Sequence, residues 1–380
     1  MRRRKTTGRL RIKAMAVLLL VAAVVACAPG RGYEALLVLA DIAAAGGDSR
    51  LQRRTAPPQR RTIEFAVEGR AYNGDLYLPA AVRAGVVLVP GLAEGGKDDP
   101  RLVAFATTLA RARFAVLVPD LAELRRLRVS PDNIIEVADA FSWLSEQPEL
   151  SPAGRAGLVA FSYAAGPALL AALEEPIRER VRFILAVGGY HDLRRVLKFL
   201  TTGFYRVADE ERYRKPEAYG RWAFLITNAE HMSDPRDRTL VARLGERRQA
   251  DADAPVDDLL AELTPAGLAI WNFVTNTDPG RVAPLLAALP EEILEEMTAL
   301  NLAGRDMSRL RAQVLLLHGY EDPMIPFSES LALAGALPED RVQLFLVHGL
   351  QHVDIEPGLP DRWRLWRVVR AFLAARDGVL

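Results

Sequence analysis

Cysteine is almost missing from this chain. Cys27 is the only one in 380 residues, so no disulfide forms within it. Five histidines leave little material for a metal centre, and neither a metal nor a cofactor is expected. No apolar run reaches the roughly 20 residues that a spanning helix needs; the run from Ala14 to Ala26 has 13. Basic charge is scarce outside the extreme N-terminus. Seven Lys or Arg and no acid fall within residues 1–13, and the overall charge is +1, which leaves about −6 on residues 28–380. An acidic body without a basic patch argues against a nucleic-acid partner. Nothing repeats at a fixed period, which excludes a solenoid.

What is present begins with an address. MRRRKTTGRLRIK is a basic leader, and AMAVLLLVAAVVA after it has the length of a secretory apolar core. The core ends in VVAC. That ending resembles a bacterial lipobox, and the resemblance implies a signal peptide over 1–26 and a diacylglycerol on the sulfur of Cys27. The membrane then becomes a partner through lipidated Cys27. Ala28 follows the cysteine where Asp would signal retention, which resembles the kind sorted to the outer membrane and places the body on its periplasmic side if the host has two membranes. An ordinary signal or an uncleaved anchor is the alternative. Free cysteine often sits in cores, but one directly after a removable leader does not. Residues 27–61 read as a tether: YEALLVLADIAAAGG forms one short helix lying on the membrane or on the domain, and GGDSRLQRRTAPPQRR is polar, basic and proline-containing.

From Thr62 the pattern changes. RTIEFAVEG and AYNGDLYLP alternate apolar and polar residues about a turn, as an antiparallel hairpin does. Short continuous apolar runs follow, at 85–90, 114–119, 156–161, 181–189, 312–319 and 342–349, with helical spacing between most of them. Strands buried on both faces and alternating with helices predict an α/β fold with a mostly parallel, doubly covered sheet. Between about 191 and 305 the rhythm breaks into helical patterns without a convincing strand, which reads as a helical cap inserted between two strands of one sheet. The expected body is therefore 62–380, with its core in 62–190 and 306–380.

The stretch GLVAFSYAAGPALLAAL places Ser162 between an apolar strand and a helix. Such a junction strains the serine backbone and projects Oγ out of the sheet. Its neighbours two residues away must be small, and here they are Ala160 and Ala164 where glycines are usual. A helix N-cap serine would give the same local pattern. LLLHGYEDPMIP then brings Asp322 past the end of another strand, and FLVHGLQHVDIEP brings His352 past the last one. Each alone is readable as an ordinary loop residue. Three sites arriving in order, each just past a strand, are not explained that way.

On these residues the chain resembles the α/β-hydrolase superfamily, including its dienelactone-hydrolase-like and acyl-peptidase-like branches, over about 62–190 and 306–380. The resemblance implies Ser162 as nucleophile, His352 as base and Asp322 as the acid that orients it. It implies an oxyanion hole from the backbone N–H of Tyr163 and a second donor in PGLAEGG, assigned to Leu92 with Ala93 as the near alternative. Pro90 stands where the family's oxyanion loop has histidine. The chemistry requires these types: a hydroxyl is a weak nucleophile near neutral pH, an imidazole titrates in the working range, and a carboxylate fixes its tautomer. HxxxHxD at His348, His352 and Asp354 has metal-ligand spacing if helical, but Gly349 and Pro357 argue against a helix. His318 is read as ordering the acid loop. The expectation is a membrane-tethered, exported serine hydrolase acting on an acyl or ester small molecule. The alternative is a catalytically inactive binding protein of the same fold at the cell envelope.

Overall fold

The computed structural model describes residues 29–352, 354–355 and 358–379. The leader and Cys27 lie outside the described residues, as does the side chain of Asp354. Two strands open the body as a hairpin, β1 (Gln59–Val67) and β2 (Arg70–Leu78). Six more follow: β3 (Ala84–Val89), β4 (Phe114–Pro119), β5 (Ala156–Phe161), β6 (Val181–Val187), β9 (Gln313–Gly319) and β10 (Val342–Val347). They form one sheet in the order β1-β2-β4-β3-β5-β6-β9-β10. β2 runs antiparallel to both its neighbours, and every pairing from β4 to β10 is parallel. The sheet and its two-sided burial match the sequence expectation.

Alternation along each buried strand feeds two cores. In β5, Leu158 and Ala160 face one core while Val159 and Phe161 face the other. The first core receives α4 (Asp132–Ser145) and α5 (Ala165–Ala171). The second receives α3 (Pro100–Arg111) and α12 (Leu359–Arg376). α3 starts at an Asp99 cap, whose carboxylate accepts from the Arg101 N–H at 2.8 Å, with Pro100 in the first turn.

Gly157 in β5 is fixed by packing. A Cβ there would lie 2.2 Å from the Phe183 ring and 2.5 Å from the Phe183 carbonyl oxygen. Backbone cannot yield as a flexible side chain can. Gly157→Ala is therefore expected to destabilise the fold by about 1–3 kcal/mol, seen as a lower urea midpoint at unchanged slope.

Two segments differ in part from the sequence expectation, the first by taking the domain and not the membrane as its resting place. Residues 29–54, read as a tether, are docked: α1 (Pro29–Ala43) buries Ala35 and Val38 in the second core, and α2 (Arg50–Arg54) buries Leu51 there. The helix was legible, but its docking rests on partners more than 300 residues away, chiefly Arg376 and Trp366, whose indole donates to the Gly32 carbonyl at 2.9 Å. The cap, read as wholly helical, also contains a small hairpin of β7 (Phe204–Val207) and β8 (Glu210–Tyr213). β8 is exposed along its whole length, so it lacks the apolar alternation that marks a strand.

The rest of the cap is helical: α6 (Leu193–Thr202), α7 (Ala218–Asn228), α8 (Pro235–Ala250), α9 (Pro265–Val274) and α10 (Glu291–Leu300). It is pinned where it leaves and rejoins the sheet. Buried Glu329, on α11 (Ser328–Ala336), accepts from the N–H groups of His191 and Asp192 at 3.1 and 2.7 Å. Asn301 accepts from Leu193 N–H at 2.9 Å.

Candidate active site

The chain leaves β3 toward β4 on one side, while β5 pairs on the other. A crevice opens at such a reversal, beyond the C-terminal ends of the strands. The loops after β3 and β5 flank it, and they carry Leu92 and Ser162.

Ser162 sits at the strand–helix junction with φ +54°, in the left-handed region that a side chain rarely adopts. A single turn over Ser162–Ala164 leads into α5. Ala160 and Ala164 are both fully buried, so the elbow closes around two methyl groups in place of glycines. The tighter contact lies one turn on. A Cβ on Gly166 would be 1.9 Å from the Tyr190 hydroxyl, and that hydroxyl donates to the Leu300 carbonyl at 2.8 Å. Tyr190 therefore ties the elbow helix to the end of α10 in the cap. As one more apolar-looking aromatic before the cap, it gave no sequence sign of this role.

Asp322 and His352 are joined. The His352 ring Nδ1 lies 3.1 Å from Asp322 Oδ2. A carboxylate only accepts, so Nδ1 carries the proton and Nε2 is left as the basic nitrogen. Asp322 is fully buried, and its other oxygen accepts from the N–H groups of Met324 and Ile325 at 2.7 and 2.9 Å. Burial pushes the carboxyl up, but hydrogen bonds from His318 and His352 outweigh it and hold the group well below the usual carboxylate range. His352 has φ +59°, so its loop, like the elbow, is held in a costly conformation. Gly188, at φ +64°, brings bare backbone beneath the pair: a Cβ there would lie 3.4 Å from Asp322 Oδ2.

His318 orders the acid turn. It is fully buried, with Nε2 2.9 Å from the Ile325 carbonyl and 3.4 Å from Asp322, and Nδ1 2.7 Å from Ser330 Oγ. A carbonyl only accepts, so the proton is on Nε2 and Nδ1 accepts from the serine. His348 turns to a different carboxylate, that of Glu321, at 2.5 Å. The two histidines of HxxxHxD thus take separate acids.

Ser162, Tyr163, Leu92 and His352 line one cavity of about 1810 Å³. Ser162 Oγ makes no hydrogen bond to the His352 ring among the described residues, and catalytic hydrogen bonds of this kind commonly tighten only around substrate. The N–H groups of Leu92 and Ala93 donate to no backbone carbonyl among the described residues, so both are candidates for the second oxyanion donor. The cavity wall on the cap side is apolar, with Leu197, Leu200, Ala223, Phe224 and Met297. Glu296 also lines it and pairs with His231 Nε2 at 2.9 Å.

No family model matches the chain, and no curated protein matches it in sequence. Among solved structures, a putative hydrolase from Legionella pneumophila is similar with a TM-score of 0.54 at 12% identity, over 85% of this chain and 90% of that one. This is the α/β-hydrolase fold. A hypothetical protein from Pseudomonas aeruginosa is 19% identical over 86% of this chain and 95% of its own, with a TM-score of 0.45. A dienelactone hydrolase from Anabaena variabilis is 17% identical over 84% and 96%, with a TM-score of 0.43. At 12% identity the Legionella likeness establishes the fold alone, and activity must be argued from the site.

Proposed function

We propose that this protein is a serine hydrolase that cleaves an ester-like bond through an acyl-enzyme. One observation carries the reading: a buried, ionised Asp322 holds His352 in the tautomer with a free Nε2, and that ring shares a cavity with a serine strained at a strand–helix elbow. In the first step, His352 Nε2 takes the Ser162 hydroxyl proton as Oγ bonds to the substrate carbonyl carbon. The N–H of Tyr163 and that of Leu92 receive the oxyanion. The carbonyl re-forms, the bond to the leaving oxygen, sulfur or nitrogen breaks, and His352 returns the proton to that atom. Water repeats the sequence and frees Ser162. A carboxylic ester, thioester, lactone or amide satisfies the same steps.

A non-catalytic binding protein of this fold is the second reading, favoured by Pro90, Ala160 and Ala164 and by the lack of a hydrogen bond between Ser162 and His352 among the described residues. Labelling with a fluorophosphonate probe separates the two. Covalent modification at Ser162, abolished in Ser162→Ala, is expected of the hydrolase; no labelling of folded protein overturns it. Export and membrane tethering through a lipidated Cys27 belong to the proposal on sequence grounds. Mass analysis of the mature N-terminus tests them, since diacylglycerol adds a diagnostic mass and an unprocessed leader would discard them.

A further inference from the structure

The cavity has a second limb that hydrolysis of a small ester does not require. Its volume, about 1810 Å³, exceeds the roughly 300–1,000 Å³ of sites that enclose drug-sized ligands. Away from the cap its lining draws apolar side chains from three elements. Phe161, next to Ser162 in sequence, packs edge-on against Phe105 of α3 with ring centroids 5.3 Å apart. Leu102 follows on the same helix, and Leu36, Leu39 and Ile42 of α1 form the far wall. Leu36 is 48% exposed, one of the few large apolar side chains left open to solvent. Its place on the wall of a groove gives that exposure a use.

The acids along this limb are already occupied. Asp41 accepts from Ser49 Oγ and, at 2.6 Å, from Thr108 Oγ1. Asp99 caps α3 and pairs with Arg101 at 3.0 Å. What remains toward the groove is mainly hydrocarbon, with Arg101 and Arg362 also on the lining, and the same cavity reaches Ser162. Resting on the hydrolase reading, we infer that this limb between α1 and α3 holds a long aliphatic chain of the scissile ester. The substrate class is then a lipid-like ester, and α1 is part of the specificity site.

Two ester series test this: p-nitrophenyl esters of growing acyl length, and acetate esters of growing alcohol length. In the series whose chain enters the limb, kcat/KM is expected to rise about fourfold per methylene until the groove is filled. Ala40 is exposed on α1 and lines the limb, so Ala40→Trp obstructs the groove without entering a core. It should lower the dodecyl-to-butyl ratio of kcat/KM at least tenfold in that series, and Leu36→Glu should do the same by charging the wall. Flat profiles in both series, or ratios that neither substitution moves, overturn the inference while leaving the hydrolase reading intact. If the wild-type protein hydrolyses no ester, the hydrolase reading stands or falls on fluorophosphonate labelling of Ser162, and the limb is judged by binding of cis-parinaric acid, a long fatty acid that fluoresces in apolar surroundings. Saturable binding weakened tenfold by Ala40→Trp sustains the limb; no binding overturns it.

Discussion

Ser162→Ala and His352→Ala are each expected to lower kcat on an activated ester by about 10⁶, with no further loss when combined. The non-additivity follows from the mechanism: a nucleophile without its base, or a base without its nucleophile, performs no step. Residual turnover above the uncatalysed rate would come from the oxyanion donors and substrate binding, which both variants keep. Asp322→Asn is expected to cost about 10⁴. Its amide can donate to the imidazole, which places the proton on Nε2 and removes the base from the side that faces Ser162. Steady-state kinetics on a p-nitrophenyl ester reads all three, with urea unfolding of each variant to show that the fold persists. An Asp322→Asn enzyme as active as wild type would discard the acid assignment.

The same three positions show what the chain revealed before it was folded. Ser162, Asp322 and His352 were legible because each follows a continuous apolar run, and a run buried on both faces has its C-terminal end at one rim of a parallel sheet. The strands themselves were read almost to the residue for that reason. The strain at Ser162 was foreseeable from the abrupt change of strand into helix, but Ala160 and Ala164 looked like a weakness. Both are fully buried, so the elbow tolerates methyl groups there. The tight demand falls on Gly166, under the Tyr190 ring. That demand was hidden, because the meeting of Gly166, Tyr190 and Leu300 depends on how the cap seats. The second cavity limb was hidden for the same kind of reason. Leu36, Leu39 and Ile42 lie in a segment with a linker's flanks, and only its docking onto α3 and α12 turns them into a wall.

That docking should fail when Glu34 is removed. Arg376, at the end of α12, is fully buried, and its guanidinium donates to both Glu34 oxygens at 2.6 and 2.9 Å and to the Ala112 carbonyl at 2.7 Å. Asp377 adds bonds to Arg376, Arg31 and Arg83, so one cluster staples α1 to the body. Deleting Glu34 removes two charge-assisted bonds from Arg376 and leaves its buried guanidinium with Asp377 and the Ala112 carbonyl alone, a loss of about 1.5–3 kcal/mol. Glu34→Ala is expected to lower the opening free energy of the α1 amides by that amount, read by native-state hydrogen exchange. The double variant Glu34→Ala with Arg376→Met should recover most of the loss, since no under-paired guanidinium stays buried and Asp377 keeps Arg31 and Arg83. An undiminished exchange barrier in Glu34→Ala would show that Ala35 and Val38 hold the helix alone. The pH dependence has a definite sign. Burial raises both carboxyls, but Arg376 and its neighbours outweigh it, holding Glu34 below its ordinary value and Asp377 down to about 2. Groups depressed on folding stabilise above their unfolded pKa, near 4, and that stability is lost as pH falls through the folded values. Protection of α1 should therefore decline from about pH 4 toward about 2 in the wild type, and less in the double variant, which has lost Glu34 and Arg376. Because α1 walls the second limb, its release would also open that groove to water, so affinity for a long aliphatic ligand should fall over the same pH range.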